Sequence, residues 1–253
     1  MSDAALPTQA SAAGGDSTCI TVESLRYRWP RAERDTLAIP ALHIARGEQV
    51  FVQGASGSGK TTLLGLLGGV LLPSAGRVEL LGSDLAALKP AARDAFRVAH
   101  IGFIFQLFNL LPYLSLRDNV LLPCRFSAQR RARAEQHSGQ RGELHEQAHR
   151  LLDELGLPRA LHDKKVVALS VGQQQRVAAA RALIGAPELV IADEPTSALD
   201  ADSREDFLRL LFAECREHGS TLLFVSHDRQ LAGLFGRTLS MDELNAAAAE
   251  TMA

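Results

Sequence analysis

The sequence predicts an α/β fold in which a mostly parallel β-sheet is covered by helices. Short apolar runs of strand length alternate along the chain with helical patterns, which is typical of parallel strands joined by helical crossovers. A glycine-rich turn joins one of these runs to a helix, and a later run ends in two adjacent acids. The 253 residues, 46% of them hydrophobic, suit one large domain or a core with a smaller subdomain.

The core elements follow from the apolar runs in chain order. "EQVFVQ" (48–53) predicts a buried strand, and the helical pattern "TTLLGLLGGV" follows it after the glycine-rich turn. A later helix is predicted over 202–217, with Asp202 and Glu205 at the spacing of a capping box. Three further strands are predicted at "IGFIF" (101–105), "ELVIAD" (188–193) and "TLLFVS" (221–226).

Residues 107–168 are helix-like and interrupt this alternation, so we expect a helical subdomain inserted in the core. Its most polar part carries Arg130, Arg131 and Arg133, which we interpret as a solvated surface. Lys and Arg total 27 against 29 Asp and Glu, a formal net charge of −2. A general nucleic-acid coat would need a basic excess, so we expect no nucleic-acid partner.

The chain ends differ in composition from the core. Residues 1–18 are rich in small and polar residues and predict a disordered tail without the pattern of a secretory signal. We place the main domain at 19–240 and a short C-terminal tail at 241–253. The longest apolar run, near Leu63–Leu72, is about half of what a membrane-spanning helix needs. The three cysteines lack the spacing of a disulfide framework, which fits a reducing compartment.

The segment "GASGSGKT" matches the phosphate-loop pattern G-x-x-x-x-G-K-[ST] in full. A predicted strand enters it and a predicted helix leaves it, so backbone N–H groups and the helix dipole would face an anion. We expect Lys60 to reach the β- and γ-phosphates of a nucleotide and the Thr61 hydroxyl to hold Mg²⁺. The loop alone does not separate an ATPase, a GTPase and a kinase. The predicted nucleotide-binding residues of this P-loop are Gly54, Ala55, Ser56, Gly57, Ser58, Gly59, Lys60, Thr61 and Thr62.

The segment "ELVIADEPTSALD" (188–200) reads as an apolar strand that ends in two acids. Asp193, at the strand tip, is placed to bind Mg²⁺ through water. Glu194 would point the other way in an extended chain, where it can face the γ-phosphate and polarise an attacking water. The pair therefore predicts the metal anchor and the general base of a nucleotide hydrolase.

"HEQAH", His145 to His149, satisfies the zinc-protease pattern H-E-x-x-H with Glu146 as the base. Its flanks are polar and no convincing third ligand is evident, so we interpret it as an exposed helix face. A zinc peptidase is the weaker alternative.

Several segments occur in the order found in ATP-binding cassette (ABC) ATPases, and the sequence resembles that family over roughly 20–240. They are the phosphate loop, "LSVGQQQR" (169–176), the Asp193–Glu194 strand end, "SALD" (197–200) and "SHD" (226–228). Gln106, in "IGFIFQLFNLLPYLSLRDNV", also matches the family's glutamine loop. The resemblance implies an antiparallel β subdomain beside the P-loop core. It also implies a helical subdomain over about 107–185 that includes the helix of "LSVGQQQR", here called the signature segment.

The resemblance implies the cofactors ATP and Mg²⁺ and assigns their ligands position by position. Lys60 and Thr61 resemble the phosphate and magnesium ligands. Asp193 resembles the acid that anchors Mg²⁺, and Glu194 the general base. Gln106 resembles a metal ligand and catalytic sensor of magnesium and water, which links the nucleotide to a membrane partner.

The resemblance also implies that two subunits complete each site. Ser170 is a plausible helix N-cap and Gly172 allows close backbone approach, so the signature helix would aim its N–H groups at an anion. In the family that anion is the γ-phosphate held by the opposite subunit, and we add Gln173 as a polar contact. Asp200 matches an acid at the dimer centre, and His227 matches a catalytic switch histidine that contacts the γ-phosphate.

The adenine platform is left open between two aromatic residues. The family places an aromatic some 25 residues before the phosphate loop, and both Trp29 and Tyr27 qualify, on one strand face at period two. Counting four residues from Leu25 favours Trp29.

Val171 stands where most signature segments have glycine, and we expect activity to survive this change.

"FNLLPYLSLRDNV" and the single-cassette layout look most like the lipoprotein-release and macrolide-export branch of exporters. The resemblance implies a homodimer that closes on two ATP molecules and drives a separate integral-membrane permease with a large periplasmic domain. The chain would then lie on the cytoplasmic face of the inner membrane, held there by the permease.

One alternative is the ATPase of a non-transporting complex that signals mechanically to the envelope. A soluble ABC ATPase acting on ribosomes or DNA is less favoured.

Overall fold

The structure, a computed structural model, describes residues 18–137, 144–197 and 199–249. The predicted disordered tail therefore lies outside the described residues except for Thr18, which begins the first strand. The strands are β1 (Thr18–Tyr27), β2 (Leu37–Ala45), β3 (Gln49–Gln53), β4 (Ala75–Leu80), β5 (Ser83–Asp84), β6 (Ile101–Ile104), β7 (Leu189–Asp193), β8 (Thr221–Ser226) and β9 (Arg237–Ser240).

The α-helices of the described residues alternate with these strands in the core and cluster between β6 and β7. They are α1 (Lys60–Leu67), α2 (Pro90–His100), α3 (Leu116–Val120), α4 (Leu122–Phe126), α5 (Ala128–His137), α6 (Leu144–Glu154), α7 (Val171–Leu183), α8 (Ala201–Glu217), α9 (Met241–Leu244) and α10 (Ala246–Ala249). Among the described residues, no helix is long and apolar enough to cross a membrane.

The central sheet has the strand order β6-β7-β8-β3-β9, and its registered pairs are parallel. All six side chains of β8 are buried, because a parallel sheet covered on both faces needs apolar residues on both sides of each strand. Gln53 is in register with Ser226, and Asp193 with Val225. The segments that follow β3, β7 and β8 therefore leave the same edge of the sheet, which confirms the predicted α/β fold.

A second, antiparallel sheet has the order β2-β1-β4-β5, as the resemblance implied. Its inner face packs with α1 against one face of the parallel sheet in a shared apolar core that includes Ile20, Leu66 and Ile191. The opposite face of the parallel sheet packs against α8 and the helices between β6 and β7, in a core that includes Phe224 and Leu151. The central sheet is thus held between two hydrophobic layers.

The predicted solvated arginine surface is wrong for Arg130. Its side chain is 0% exposed, and Arg133 is also largely covered while it pairs with Glu188. The Arg130 guanidinium donates hydrogen bonds to the carbonyl oxygens of Ile101 (3.3 Å), Ala182 (2.7 Å) and Ile184 (2.7 Å). Two of these carbonyls belong to the C-terminal end of α7, where a helix leaves carbonyls unpaired and favours a cation. Arg130 therefore joins the helical subdomain to the core from inside.

The start of α8 also differs from the prediction. Asp200, and not Asp202, is the N-cap, and its carboxylate accepts a hydrogen bond from the Ser203 backbone N–H at 2.9 Å. Hydrogen bonds from the backbone and side chain of Ser203 hold the pKa of Asp200 below its usual value. The helix thus begins at Ala201, and the predicted capping box of Asp202 and Glu205 is wrong.

The segment predicted as a C-terminal tail packs onto the core over its described part, residues 241–249. Met241 is buried at the start of α9. Asn245 is also buried; its side chain accepts a hydrogen bond from the Ala38 N–H at 2.8 Å and donates one to the Thr36 carbonyl at 3.0 Å. The amide group of Asn245 therefore pairs with backbone groups at the start of β2, an outer strand of its sheet.

Candidate nucleotide-binding site

A cavity of about 690 Å³ opens at the edge of the parallel sheet where β3, β7 and β8 end. It brings together the glycine-rich turn, the acidic strand end, the segment after β8 and the loop after β1. The residues that line it are Trp29, Thr36, Ser56, Gly57, Gly59, Lys60, Thr61, Thr62, Gln106, Asp193, Glu194 and His227. Ligand sites at the carboxyl ends of parallel strands are the rule for open α/β sheets.

The glycine-rich turn needs its glycines for both conformation and space. Gly59 is the N-cap of α1 with φ of 95°, a left-handed conformation, and a Cβ there would lie 2.6 Å from Leu37 Cδ2. At Gly54 a Cβ would meet Met241 at 2.8 Å. Lys60 lies across the turn, with Nζ 2.7 Å from the Gly54 carbonyl oxygen and 2.9 Å from that of Ala55. The turn and its lysine thus form a compact cradle at a helix start, which suits an anion.

Asp193 and Glu194 both line the cavity, but not in the predicted conformation. Glu194 has φ of 47°, so the chain is left-handed there and not extended. This turn directs the Glu194 carboxylate toward the segment after β8. Burial and the neighbouring charge of Glu194 raise the pKa of Asp193, and Lys60 acts in the opposite direction. A partly buried pair of adjacent carboxylates favours a bound cation.

The Glu194 carboxylate is held by the two residues at and after the end of β8. Its Oε2 accepts hydrogen bonds from His227 Nδ1 at 2.9 Å and from the Ser226 hydroxyl at 3.3 Å. The Glu194 side chain is mostly covered, whereas His227 is 69% exposed at the cavity. The geometry therefore combines a fixed carboxylate with an adjacent imidazole.

Trp29 and Tyr27 differ sharply in exposure. Tyr27 ends β1 and is buried, whereas Trp29 lies beyond the strand, is 45% exposed and lines the cavity. The edge of one ring faces the other, with centroids 5.2 Å apart. Of the two, Trp29 is the one placed to meet a bound base.

The sequence pattern of the ABC transporter family matches residues 37–197, which include the phosphate loop, the signature segment and the acidic strand end. The chain belongs to the ABC transporter family. The five-stranded parallel sheet, the antiparallel sheet and the intervening helices are the parts of this cassette.

Two relatives place the cassette in the predicted branch. It is 43% identical over 202 residues to the macrolide export ATP-binding/permease protein MacB of Rhodopirellula baltica, a match that covers 80% of this chain and 28% of that protein. It is 41% identical over 207 residues to the lipoprotein-releasing system ATP-binding protein LolD of Syntrophotalea carbinolica, a match that covers 82% of this chain and 86% of that protein. The resemblance to the macrolide-export and lipoprotein-release branch is thereby confirmed.

A solved structure shares the architecture. The dimeric, post-hydrolysis ATP-binding cassette MJ0796, bound to ADP and Pi, superposes with a TM-score of 0.76 and 32% sequence identity, over 90% of this chain and 95% of that chain. Family membership and this neighbour make the chain an ABC ATPase.

The signature segment of the cassette forms the start of α7. Ser170 is the N-cap, and it exchanges hydrogen bonds with Gln173 in a full capping box. Ser170, Gly172 and Gln173 are not among the described residues that line the cavity, and neither is Asp200. Arg176 donates to the Leu155 carbonyl at 3.0 Å and so ties α7 to the end of α6. Within one chain, the residues predicted to contact nucleotide from the signature segment therefore lie outside the cavity that the phosphate loop lines.

"HEQAH" lies at the start of α6 and is only partly an exposed face. Glu146 pairs with Arg159, and His149 contacts the buried His162 through their Nδ1 atoms at 2.6 Å. Over the described ranges, no group of three or more His, Cys, Asp or Glu residues is arranged to hold a metal ion.

Two residues were not predicted as site residues from the sequence. Thr36 lines the cavity beside Trp29, and Ser226 holds the Glu194 carboxylate. The serine lies within the quoted segment "SHD", so its contact could have been sought from that motif. Thr36 lies in the link between β1 and β2 and carries no motif signal.

Proposed function

We propose that this cassette is the ATP-hydrolysing subunit of a membrane transporter and works as a homodimer that powers a separate permease. One observation carries the proposal: the cavity gathers the phosphate loop, both acids, Gln106 and His227, while the signature helix starts elsewhere. A second copy would supply that helix start. The dimeric MJ0796 cassette and the transporter subunit names of the relatives support this arrangement.

The phosphates would bind at the start of α1. Backbone N–H groups at a helix start suit an anion, and Lys60 would exchange its two carbonyl partners for phosphate oxygens. The remaining residues of the turn, including Gly54, Ala55 and Ser58, would shape it from behind, because they do not line the cavity among the described residues. Thr62 and Ser56 line it beside Thr61.

The oxygen-bearing side chains fit Mg²⁺. Thr61, Gln106 and Asp193 offer a hydroxyl, an amide carbonyl and a carboxylate around one cavity, and Mg²⁺ prefers oxygen ligands. Burial and the charge of Glu194 raise the pKa of Asp193 despite the opposing charge of Lys60, and a bound cation would favour its charged form. When bound, Mg²⁺ would neutralise charge on the phosphate oxygens.

Glu194 is proposed to act as the general base on the attacking water. The water oxygen attacks the γ-phosphorus, the bond to the β-phosphate oxygen breaks, and the water proton passes to the carboxylate. The hydrogen bonds from Ser226 and His227 hold this carboxylate at the cavity wall. The His227 ring lines the same cavity and would contact the γ-phosphate.

The second subunit would complete the site. The start of its α7, with Ser170, Gly172 and Gln173, would present N–H groups to the γ-phosphate, and Asp200 would lie at the dimer centre. The Gln173 side chain is engaged in the capping box, so its proposed contact would act through the helix start it stabilises. Val171 is half exposed at the first turn, where valine does not interrupt the helix.

The permease would dock beside Gln106. A groove of about 380 Å³ lies there between the core and the helical subdomain, with Phe103, Phe105 and Phe126 in its walls. Leu107 and Tyr113, nearby in sequence, are 84% and 66% exposed. Through such a permease, proposed to carry a large periplasmic domain as in the predicted branch, the cassette would lie at the cytoplasmic face of the inner membrane.

Purification from detergent-solubilised membranes of the native host tests the partnership. We expect a polytopic permease to co-purify in a fixed ratio, with ATP turnover that requires Mg²⁺. Co-purification with ribosomes or DNA, without a permease, would contradict the proposal.

Replacing Trp29 by alanine tests the adenine platform. We expect ATP affinity to fall about five-fold, because base stacking contributes about 1 kcal/mol. Trp29→Phe keeps an aromatic face and should retain most of the affinity, and Tyr27→Phe, at the buried ring, should change nothing. Titration calorimetry with ATP measures all three. If Trp29→Ala binds ATP normally, the platform role passes to Tyr27.

A further inference from the structure

The cavity residues are connected to α8 by a chain of polar contacts that ends at Arg204. Arg204 lies in the first turns of α8, and its Nη1 is 2.5 Å from Asp228 Oδ2, a residue after β8. Its Nη2 also approaches the Leu199 carbonyl oxygen at 3.4 Å, in the loop after β7. One guanidinium thus reaches the loop that begins at Glu194 and the turn that contains His227.

Asp228 stabilises the turn that contains Ser226 and His227, the two residues that donate hydrogen bonds to Glu194. Its backbone N–H donates to the Ser226 hydroxyl oxygen at 3.1 Å, and its carboxylate accepts from the Gln230 N–H at 3.0 Å. A serine hydroxyl has one proton to donate. Because the Ser226 oxygen accepts from Asp228, its proton is free to point at the Glu194 carboxylate, 3.3 Å away.

The same turn sets the position of His227, which lies between Ser226 and Asp228 and donates to the same Glu194 oxygen at 2.9 Å. If Asp228 shifts, both donors to Glu194 shift with it. The Arg204–Asp228 pair is about three-quarters covered on each side, so solvent screens it less than a fully exposed pair.

We propose that Arg204 is a positioning residue for hydrolysis, which aligns the Glu194 carboxylate through Asp228 and Ser226 and ties this alignment to the loop before α8. The inference rests on the proposed role of Glu194. Arg204 does not itself line the cavity among the described residues, so it acts on the hydrolysis step and not on nucleotide binding.

Steady-state kinetics on Arg204→Met, Arg204→Lys and Arg209→Met test the proposal. Arg209, on the same helix, pairs at the surface with Asp206 and serves as the matched control. We expect Arg204→Met to lower kcat roughly ten-fold, since misplaced catalytic groups cost rate and not affinity, while the KM for ATP changes less than about two-fold. Arg204→Lys keeps the ion pair and should recover most of kcat, and Arg209→Met should match the wild type.

Asp228→Asn provides an independent variant, and in combination with Arg204→Met it should add little further loss, because both changes break one contact. The inference is overturned if Arg204→Met keeps the kcat of Arg209→Met, if KM rises as much as kcat falls, or if the lysine variant recovers nothing. The proposed role of Glu194 as the general base fails separately, through normal turnover of a Glu194 variant.

Discussion

Replacing Glu194 by glutamine is expected to lower ATP turnover by about 10²- to 10⁴-fold, because an amide cannot take the proton of the attacking water. The amide oxygen can still accept the hydrogen bonds that Ser226 and His227 donate, so the turn should keep its shape. ATP binding should therefore persist, and the closed dimer should accumulate. Phosphate release measures turnover, calorimetry measures ATP binding, and light scattering measures the dimer.

Glu205→Gln is the matched control for this substitution. Glu205 is an exposed glutamate on α8, outside the residues that line the cavity, and its loss should leave turnover unchanged. Normal turnover in Glu194→Gln would remove Glu194 as the general base. Loss of ATP binding along with turnover would instead assign the residue to the nucleotide site.

Replacing Arg130 by alanine is expected to lower the free energy of unfolding by about 3 kcal/mol, since the change leaves buried carbonyl oxygens without donors and opens a cavity. The three carbonyls lie in the core strand β6 and at the C-terminal end of α7. Burial lowers the pKa of Arg130 to about 10, so the guanidinium stays charged at neutral pH. Urea denaturation at pH 7 measures the effect.

Arg131→Ala is the neighbouring control, because Arg131 is largely exposed and forms a surface ion pair with Glu135 one turn away. Its loss should cost less than about 0.5 kcal/mol. Equal stabilities for the two alanine variants would show that the buried contacts of Arg130 make no net contribution to the free energy of unfolding.

Patterns within short stretches of sequence predicted the fold and most of the residues that line the candidate site. The phosphate loop, the acidic strand end and the Ser170 cap each depend on residues within one turn of the chain, and a parallel sheet brings its strand ends to one edge. Asp200 shows the limit of such local patterns. It lies two residues before the predicted cap Asp202, and only the hydrogen bond from Ser203 tells the two apart.

The remaining differences depend on partners that are distant in sequence. Nothing near Arg130 reveals that carbonyls some fifty residues away need a donor. The packing of Met241 against Gly54 joins residues far apart in the sequence, and the four-residue helix α9 is too short to show a periodic apolar pattern. The left-handed backbone of Glu194 is a third case, since a glutamate gives no local signal for positive φ.

Trp29 is the one tryptophan in the sequence, and it lies at the mouth of the nucleotide cavity. The protein therefore carries its own optical reporter at the site where nucleotide would bind. Indole emission from this chain comes from that position alone, so a spectral change on adding ATP reports on the cavity without a dye. The same signal would time the arrival and departure of nucleotide in each variant that keeps Trp29.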